Sequence, residues 1–358
     1  VLSQDWELTS LTQPVRKVVV VPGGSVLAST DQQLLRTDDS GLTWSPVTLP
    51  PATALAGVDP ADAGILYAAG GAGVYRTDDP GATWRVILHY SPQVGTDFGR
   101  LAISAADDNR LYVALTGPAS LIRLMRSDDA GVTWQPLQAS QSSRCAWTIP
   151  LLQADSTQPD QVFQSAACLA GRTFGASLKQ STDAGASWLA LFNPEPYQTP
   201  ALGYPSHLAI GPGRYYLASN RDARLGGSGV FRSDDDGTTW NEVLAHHGGG
   251  TPGYRQADQD PDAPNVRIGG LVVDSANADL VYVGLQVYRG YPPVQMVGGG
   301  VLISADGGAS WKTLGQDLGG ISDLVLSAEN QRLYAATDQG LWSLAVPSTG
   351  AAARQSPR

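Results

Sequence analysis

Apolar residues run along this chain in short, nearly unbroken stretches set between polar turns. Ile65-Leu66-Tyr67-Ala68, Leu280-Val281-Tyr282-Val283 and Arg332-Leu333-Tyr334-Ala335 are three of them. Each is preceded by a partner run, at Ala56–Pro60, Leu271–Asp274 and Leu324–Leu326. Runs of this length with little alternation predict β-strands covered on both faces. A third run follows, as in Leu34-Leu35-Arg36, Val74-Tyr75-Arg76 or Val230-Phe231-Arg232, and then a hairpin tip and an outgoing strand. The repeating unit is therefore four antiparallel strands.

The hairpin tip is the pattern Ser/Thr-x-Asp-x-Gly-x-Ser/Thr-Trp, and it occurs six times. Its aspartates are Asp39, Asp79, Asp129, Asp183, Asp235 and Asp306, and it closes on Trp44, Trp84, Trp134, Trp188, Trp240 and Trp311. The carboxylate accepts backbone N–H groups a few residues on, the glycine takes positive φ without a Cβ penalty, and the hydroxyls satisfy the remaining turn groups. These residues resemble the Asp box, or bacterial neuraminidase repeat, of sialidases, xyloglucanases, sortilin-like receptors and a photosystem II assembly factor. The resemblance covers nearly the whole chain and implies a β-propeller with the boxes away from the ligand face. It implies no single activity, because one fold hosts many chemistries.

Box tryptophans recur every 40 to 71 residues, a period that means propeller blades with loop insertions. After the sixth box come three more strands, Ile321–Leu326, Arg332–Ala336 and Gly340–Val346, without a fourth. Asp5-Trp6-Glu7-Leu8 reads as the missing one, since Trp6 lies one blade length before Trp44. The expected fold is an all-β, seven-bladed propeller of four-stranded antiparallel blades whose N-terminal strand closes the last blade, so that no long sheet edge is left open. Six blades is the alternative. Residues 1–346 read as a single domain, and 347–358, rich in Ala, Ser, Gly and Pro, as a flexible tail.

Composition narrows the partners. With 33 acidic against 23 basic residues and no basic cluster, the chain is poorly suited to nucleic acid or an anionic membrane. No apolar run approaches the length of a transmembrane helix. The sequence begins at Val1 rather than methionine, which reads as a mature chain whose signal peptide has been removed and places it outside the cell, at the cell surface or in the periplasm. In such a compartment Cys145 and Cys168, on neighbouring antiparallel strands, form a disulfide; two buried thiols is the alternative.

Insertions point to a recognition face. Between blades, Leu88–Gly99, Gln141–Trp147, Phe192–Ser206 and His246–Val266 read as long loops, and within blades Leu169–Gly175, Asn220–Gly229 and Gln286–Gly299 do. All are expected on the side opposite the boxes. They carry Arg100, Trp147, Arg172, Tyr204, Arg221, Arg224, Tyr254, Arg255, Tyr288 and Arg289, aromatic planes interleaved with guanidinium groups that suit a glycan, a carboxylate or a protein partner. Structural packing of the loops by these same side chains is the alternative. Arg16, Arg100 and Arg267 precede inner strands and could point inward as the arginines of a sialidase do, but the arginine-isoleucine-proline motif that resemblance implies is absent.

Catalytic signals are weak. Only four glutamates exist, and Glu195 near Tyr197 is the sole such pairing on the candidate face; Asp97 is a further carboxylate of the kind a glycosidase requires in pairs. Asp258, Asp260 and Asp262 alternate as calcium ligands do, with a solvated acidic loop as the alternative, so a structural calcium is the one cofactor to consider and none is required. His246-His247 reads as loop, and Gly298-Gly299-Gly300 as a link between strands. The expected role is a non-catalytic protein- or glycan-binding subunit of a larger extracellular assembly; the alternative is a sialidase-like or xyloglucanase-like glycoside hydrolase.

Overall fold

A computed structural model describes residues 5–49, 57–62, 65–70, 73–79, 83–89, 99–105, 109–116, 122–137, 146–155, 158–170, 173–192, 204–220, 228–246, 265–289 and 295–346. Strand β1 is Glu7–Leu8. The first sheet holds β2 (Lys17–Val20), β3 (Val26–Ser29), β4 (Leu34–Thr37) and β5 (Ser45–Val47). The second holds β6 (Gly57–Asp62), β7 (Ile65–Gly70), β8 (Gly73–Thr77) and β9 (Arg85–His89). The third is β10 (Gly99–Ala105), β11 (Leu111–Thr116), β12 (Ile122–Ser127) and β13 (Gln135–Pro136); the fourth is β14 (Ala146–Ala154), β15 (Val162–Ala170), β16 (Thr173–Ser181) and β17 (Leu189–Phe192). The fifth is β18 (Tyr204–Gly211), β19 (Arg214–Asn220), β20 (Ser228–Ser233) and β21 (Asn241–His246). The sixth is β22 (Asn265–Val273), β23 (Val281–Arg289), β24 (Gln295–Ser304) and β25 (Lys312–Gln316). The seventh, β26 (Ile321–Ser327), β27 (Arg332–Thr337) and β28 (Gly340–Ala345), takes β1 as its outermost strand.

The fold is thus an all-β, seven-bladed propeller of four-stranded antiparallel blades, and seven sheets rather than six settle the count. Two compact units make it up, Val1–Thr30 with Leu35–Ser45 and Leu208–Arg358, and Asp31–Leu34 with Pro46–His207. Among the described residues no helix is long and apolar enough to cross a membrane.

One core position recurs in all seven sheets. The second strand of each presents a fully buried Leu27, Tyr67, Tyr112, Phe163, Tyr216, Tyr282 or Tyr334. A tyrosine there fills the apolar space and carries its hydroxyl to the next sheet, where it can be hydrogen-bonded. Tyr112 donates to the Pro159 carbonyl at 3.1 Å, and Tyr216 to that of Ala278 at 2.7 Å. Burial pushes the Tyr112 and Tyr282 phenols up to about 12.

Each box forms a closed hydrogen-bonded tip. In the fourth, Asp183 Oδ1 accepts from the Ser181 hydroxyl (2.7 Å) and the Ser187 amide (2.8 Å), and Oδ2 accepts from the Ser187 hydroxyl (2.6 Å). The Gly185 amide donates to Ser181 Oγ at 2.7 Å. The tip requires two successive left-handed residues, such as Ala130 and Gly131 at φ of 57° and 88°. Glycine at the second site has a further reason. A Cβ on Gly131 would meet Ile87 Cδ1 at 2.7 Å, and one on Gly308 would meet Val243 Cβ at 2.8 Å, so these two tips lie flat against the outer strand of the preceding sheet. The box tryptophan joins the same contact: Trp134 donates to the Ile87 carbonyl (2.9 Å) and Trp311 to that of Val243 (2.8 Å).

The closing strand reproduces this arrangement without a box. Glu7 and Leu8 pair with Ser343 and Trp342, and Trp6 donates to the Leu314 carbonyl on β25 at 3.2 Å, as a box tryptophan does. Deleting residues 1–10 removes these bonds and the Arg332–Glu7 ion pair, and is expected to lower the melting temperature by about 5 °C or more; an unchanged melting curve would refute the closure.

Box carboxyls also tie stability to acidity. Hydrogen bonds from the hydroxyls and amides of the tip hold Asp183 and Asp306 at about 2 and keep Asp39, Asp129 and Asp235 below the usual range. Because the folded value lies below the unfolded one, the stabilisation is complete above about pH 4 and is lost as pH falls through about 2. Urea midpoints should drop steeply over that window, and Asp306→Asn should make the drop shallower; a midpoint flat from pH 5 to 2 would contradict the assignment.

Candidate functional site

Within each sheet, the box hairpin and the first turn lie at one end, while the second turn and the connection to the next sheet lie at the other. Arginines at the box end face carboxylates. Arg36, Arg76, Arg126 and Arg232 pair with Asp38, Asp78, Asp128 and Asp234, and Arg232 also donates to the Gly307 carbonyl on the next box at 2.8 Å. Arg110 and Arg214 reach across in the same way to Asp160 and Asp279. With their charges matched, these groups seal neighbouring sheets together and leave little for a ligand.

The opposite end differs. Here strands run further than the sequence suggested, and several residues expected in loops stand on ladders. Arg100 and Arg267 lie inside β10 and β22 rather than before them, and Trp147 is the second residue of β14. Tyr204 opens β18, and Tyr288 and Arg289 end β23, with Tyr288 opposite Asn265 across the ladder to β22 and opposite Met296 across that to β24. His246 is the last residue of β21, and Gly298-Gly299-Gly300 lies within β24 rather than between strands. Polar and glycine-rich composition suggested loops; the long hairpins instead satisfy their backbone groups by ladder pairing, so side-chain apolarity was a poor guide to their length.

Three residues converge at this end of the sixth sheet. Arg267 on β22 sits opposite Gln286 on β23, with its guanidinium 5.3 Å from the centroid of the Tyr288 ring. The Tyr288 hydroxyl donates to Gln286 Oε1 at 3.0 Å, which fixes the amide so that its nitrogen lies over Gly269, 3.1 Å from where a Cβ would stand. Arg267 Nε is buried and has no hydrogen-bond partner. Around this group Asn220 bonds reciprocally with the Ile268 backbone (2.7 and 2.8 Å), and Ser228 donates to the Val266 carbonyl, so β22 is clamped in place by the fifth sheet.

Asp323 lies on β26, the next inner strand. Part of its surface remains accessible, yet protein surrounds the carboxyl, which accepts from the Val18 amide (3.1 Å) and from its neighbour Leu324 (3.0 Å). Burial pushes it up to about 6 against the pull of Lys17 and these two amides. From sequence Arg267 stands out as an arginine that could point inward and Tyr288 as a binding residue, whereas Gln286 and Asp323, one of many aspartates, do not; the lack of a described partner for Arg267 Nε becomes visible only when its neighbours are placed.

Asp97, Arg172, Glu195, Tyr197, Arg221, Arg224, Tyr254 and Arg255, and the acidic triplet Asp258, Asp260 and Asp262, lie outside the described residues, as does Cys145. Cys168 is on β15, where its backbone pairs with Trp147. Among the described residues no group of three His, Cys, Asp or Glu side chains is arranged to hold a metal ion.

No protein-family model and no curated protein sequence matches the chain. Solved structures of the same fold do. The GH74 xyloglucanase from Xanthomonas campestris aligns over 95% of this chain at 20% identity with a TM-score of 0.64, and an ancestral GH74 enzyme over 96% at 14% identity with a TM-score of 0.64. The chain spans about half the length of these two, 53% and 46%. YCF48 bound to D1 peptide aligns over 96% of this chain and 95% of its own, at 16% identity and a TM-score of 0.60. These likenesses establish the propeller fold.

The Asp323 carboxyl gives a pH signature opposite to that of the boxes. Its folded value exceeds the unfolded one, so the stability it contributes is complete below about pH 4 and is lost as pH rises through about 6. Asp323→Asn keeps an acceptor for the Val18 amide without the charge. The variant should therefore unfold at a higher urea concentration than the parent at pH 7 and at nearly the same one at pH 4; an equal gap at both values would refute the assignment.

Proposed function

We propose that this propeller is a non-catalytic recognition protein of the Asp-box type, binding a protein segment or a glycan at the sheet ends opposite its boxes, as a subunit of an assembly outside the cell, at its surface or in the periplasm. The observation that carries this reading is the contrast between the two ends. Arginines at the box end are matched by aspartates, whereas at the other end Arg267 lies against an aromatic ring and, among the described residues, faces no carboxylate. The strand ends there also flank the segments with Arg172, Arg221, Arg224, Tyr254 and Arg255, side chains of the kind that dominate binding surfaces. YCF48 bound to D1 peptide, matched end to end, supports a peptide as the ligand class. A disulfide between Cys145 and Cys168 and a calcium ion at Asp258, Asp260 and Asp262 fit an extracellular setting and belong to the same proposal.

A second reading is a glycoside hydrolase using the same end. It is favoured by the two GH74 enzymes, which share the fold at the higher TM-score, and its candidate groups are Asp97 and Glu195 with Tyr197. Incubation with xyloglucan, other plant polysaccharides and sialosides, followed by a reducing-end assay, separates the two. No turnover, together with a stable complex recovered by affinity capture, is the expected result. Turnover that disappears in Glu195→Gln or Asp97→Asn would replace the binding reading with the enzymatic one.

A further inference from the structure

One donor of Arg267 stands buried without an acceptor. Among the described residues its guanidinium makes no ion pair, its Nε–H is buried without a partner, and the Gln286 amide turns its oxygen to Tyr288 and its nitrogen toward Gly269. Asp323, one strand over, is occupied by the Val18 and Leu324 amides. Burying a cationic donor unsatisfied is costly, and a fold that maintains such a group while matching its arginines elsewhere keeps it for something that arrives from outside.

From this geometry we infer that Arg267, oriented by Tyr288 and assisted by Gln286, is an anchor for a single carboxylate, and that the carboxylate is carried by an acidic peptide. The inference rests on the recognition reading above and specifies its ligand. A carboxylate is the planar, two-oxygen acceptor that a guanidinium fork and a neighbouring amide N–H can engage together. Peptide is favoured over acidic sugar because the Tyr288 face, the surface on which a pyranose ring would stack, is already covered by the guanidinium. A net charge of −10 also opposes a polyanionic glycan, whereas one or two peptide carboxylates are tolerated. Tyr288 and Gln286 act as positioning residues: the ring holds the guanidinium plane, and the phenol holds the amide.

The full chain, labelled with nitrogen-15, provides the test. The buried Nε–H of Arg267 should give a resolved NMR resonance, assigned by its loss in Arg267→Lys. Acetyl-Ala-Glu-Ala-amide should shift that resonance, and acetyl-Ala-Gln-Ala-amide should leave it in place. Arg267→Lys should weaken binding of the Glu peptide about tenfold, because the point charge remains while the fork is lost. Arg267→Met should abolish binding and leave the melting temperature equal or higher, since it removes an unsatisfied buried cation and keeps the volume. A lower melting temperature with unchanged peptide binding would make Arg267 a structural cation and overturn the inference. So would equal shifts with both peptides, no shift with either, or a shift with glucuronate alone, the last of these pointing to an acidic sugar instead. If the wild-type chain still captures a partner that Arg267→Met also captures, the recognition reading stands and only the anchor falls.

Discussion

Everything in this molecule hangs on the aspartate carboxylate at the tip of each outer hairpin. By accepting two hydroxyls and an amide, as Asp183 does from Ser181 and Ser187, it holds two successive residues in a left-handed conformation that an L-residue chain otherwise avoids. That conformation lays a glycine backbone against the outer strand of the preceding sheet and brings a tryptophan N–H to a carbonyl of that strand. A local turn thus becomes the fastening between neighbours. A larger residue at the glycine would be both strained and in collision, so the motif is fixed by two independent constraints.

A second layer of fastening sits just inside the first. The buried tyrosines of the inner sheet strands project their hydroxyls to the first turn of the next sheet, and the Arg–Asp pairs bridge the same boundary. Among the described residues, the arginine charges here are matched locally by aspartates. The box end is consequently a finished surface. At the other end of the sixth sheet the Arg267 Nε–H is left without an acceptor among the described residues.

The fastenings between sheets are concentrated at the box end. Strands lengthen toward the opposite end, as β22, β23 and β24 do, and carry the Arg267–Tyr288 pair there. The opposite pH responses of the box aspartates and Asp323 follow from the same split, one set stabilised by donors at exposed turns and the other pressed by burial on an inner strand.

The amino-acid sequence by itself determined the repeat, the number of sheets and the closing role of Trp6, because each depends on contacts between residues a few positions apart or on the count of equal units. It also located the end opposite the boxes as the one with variable connections. Tertiary structure alone decided how far those hairpins run, since ladder pairing is a property of two strands and not of the side chains along one. It alone decided which arginines are matched: Arg232 and Arg267 look alike in sequence, yet one meets Asp234 and a box carbonyl while the other, among the described residues, meets a tyrosine ring. A charge is functional or structural according to what lies beside it, and its neighbours come from strands and sheets distant along the chain.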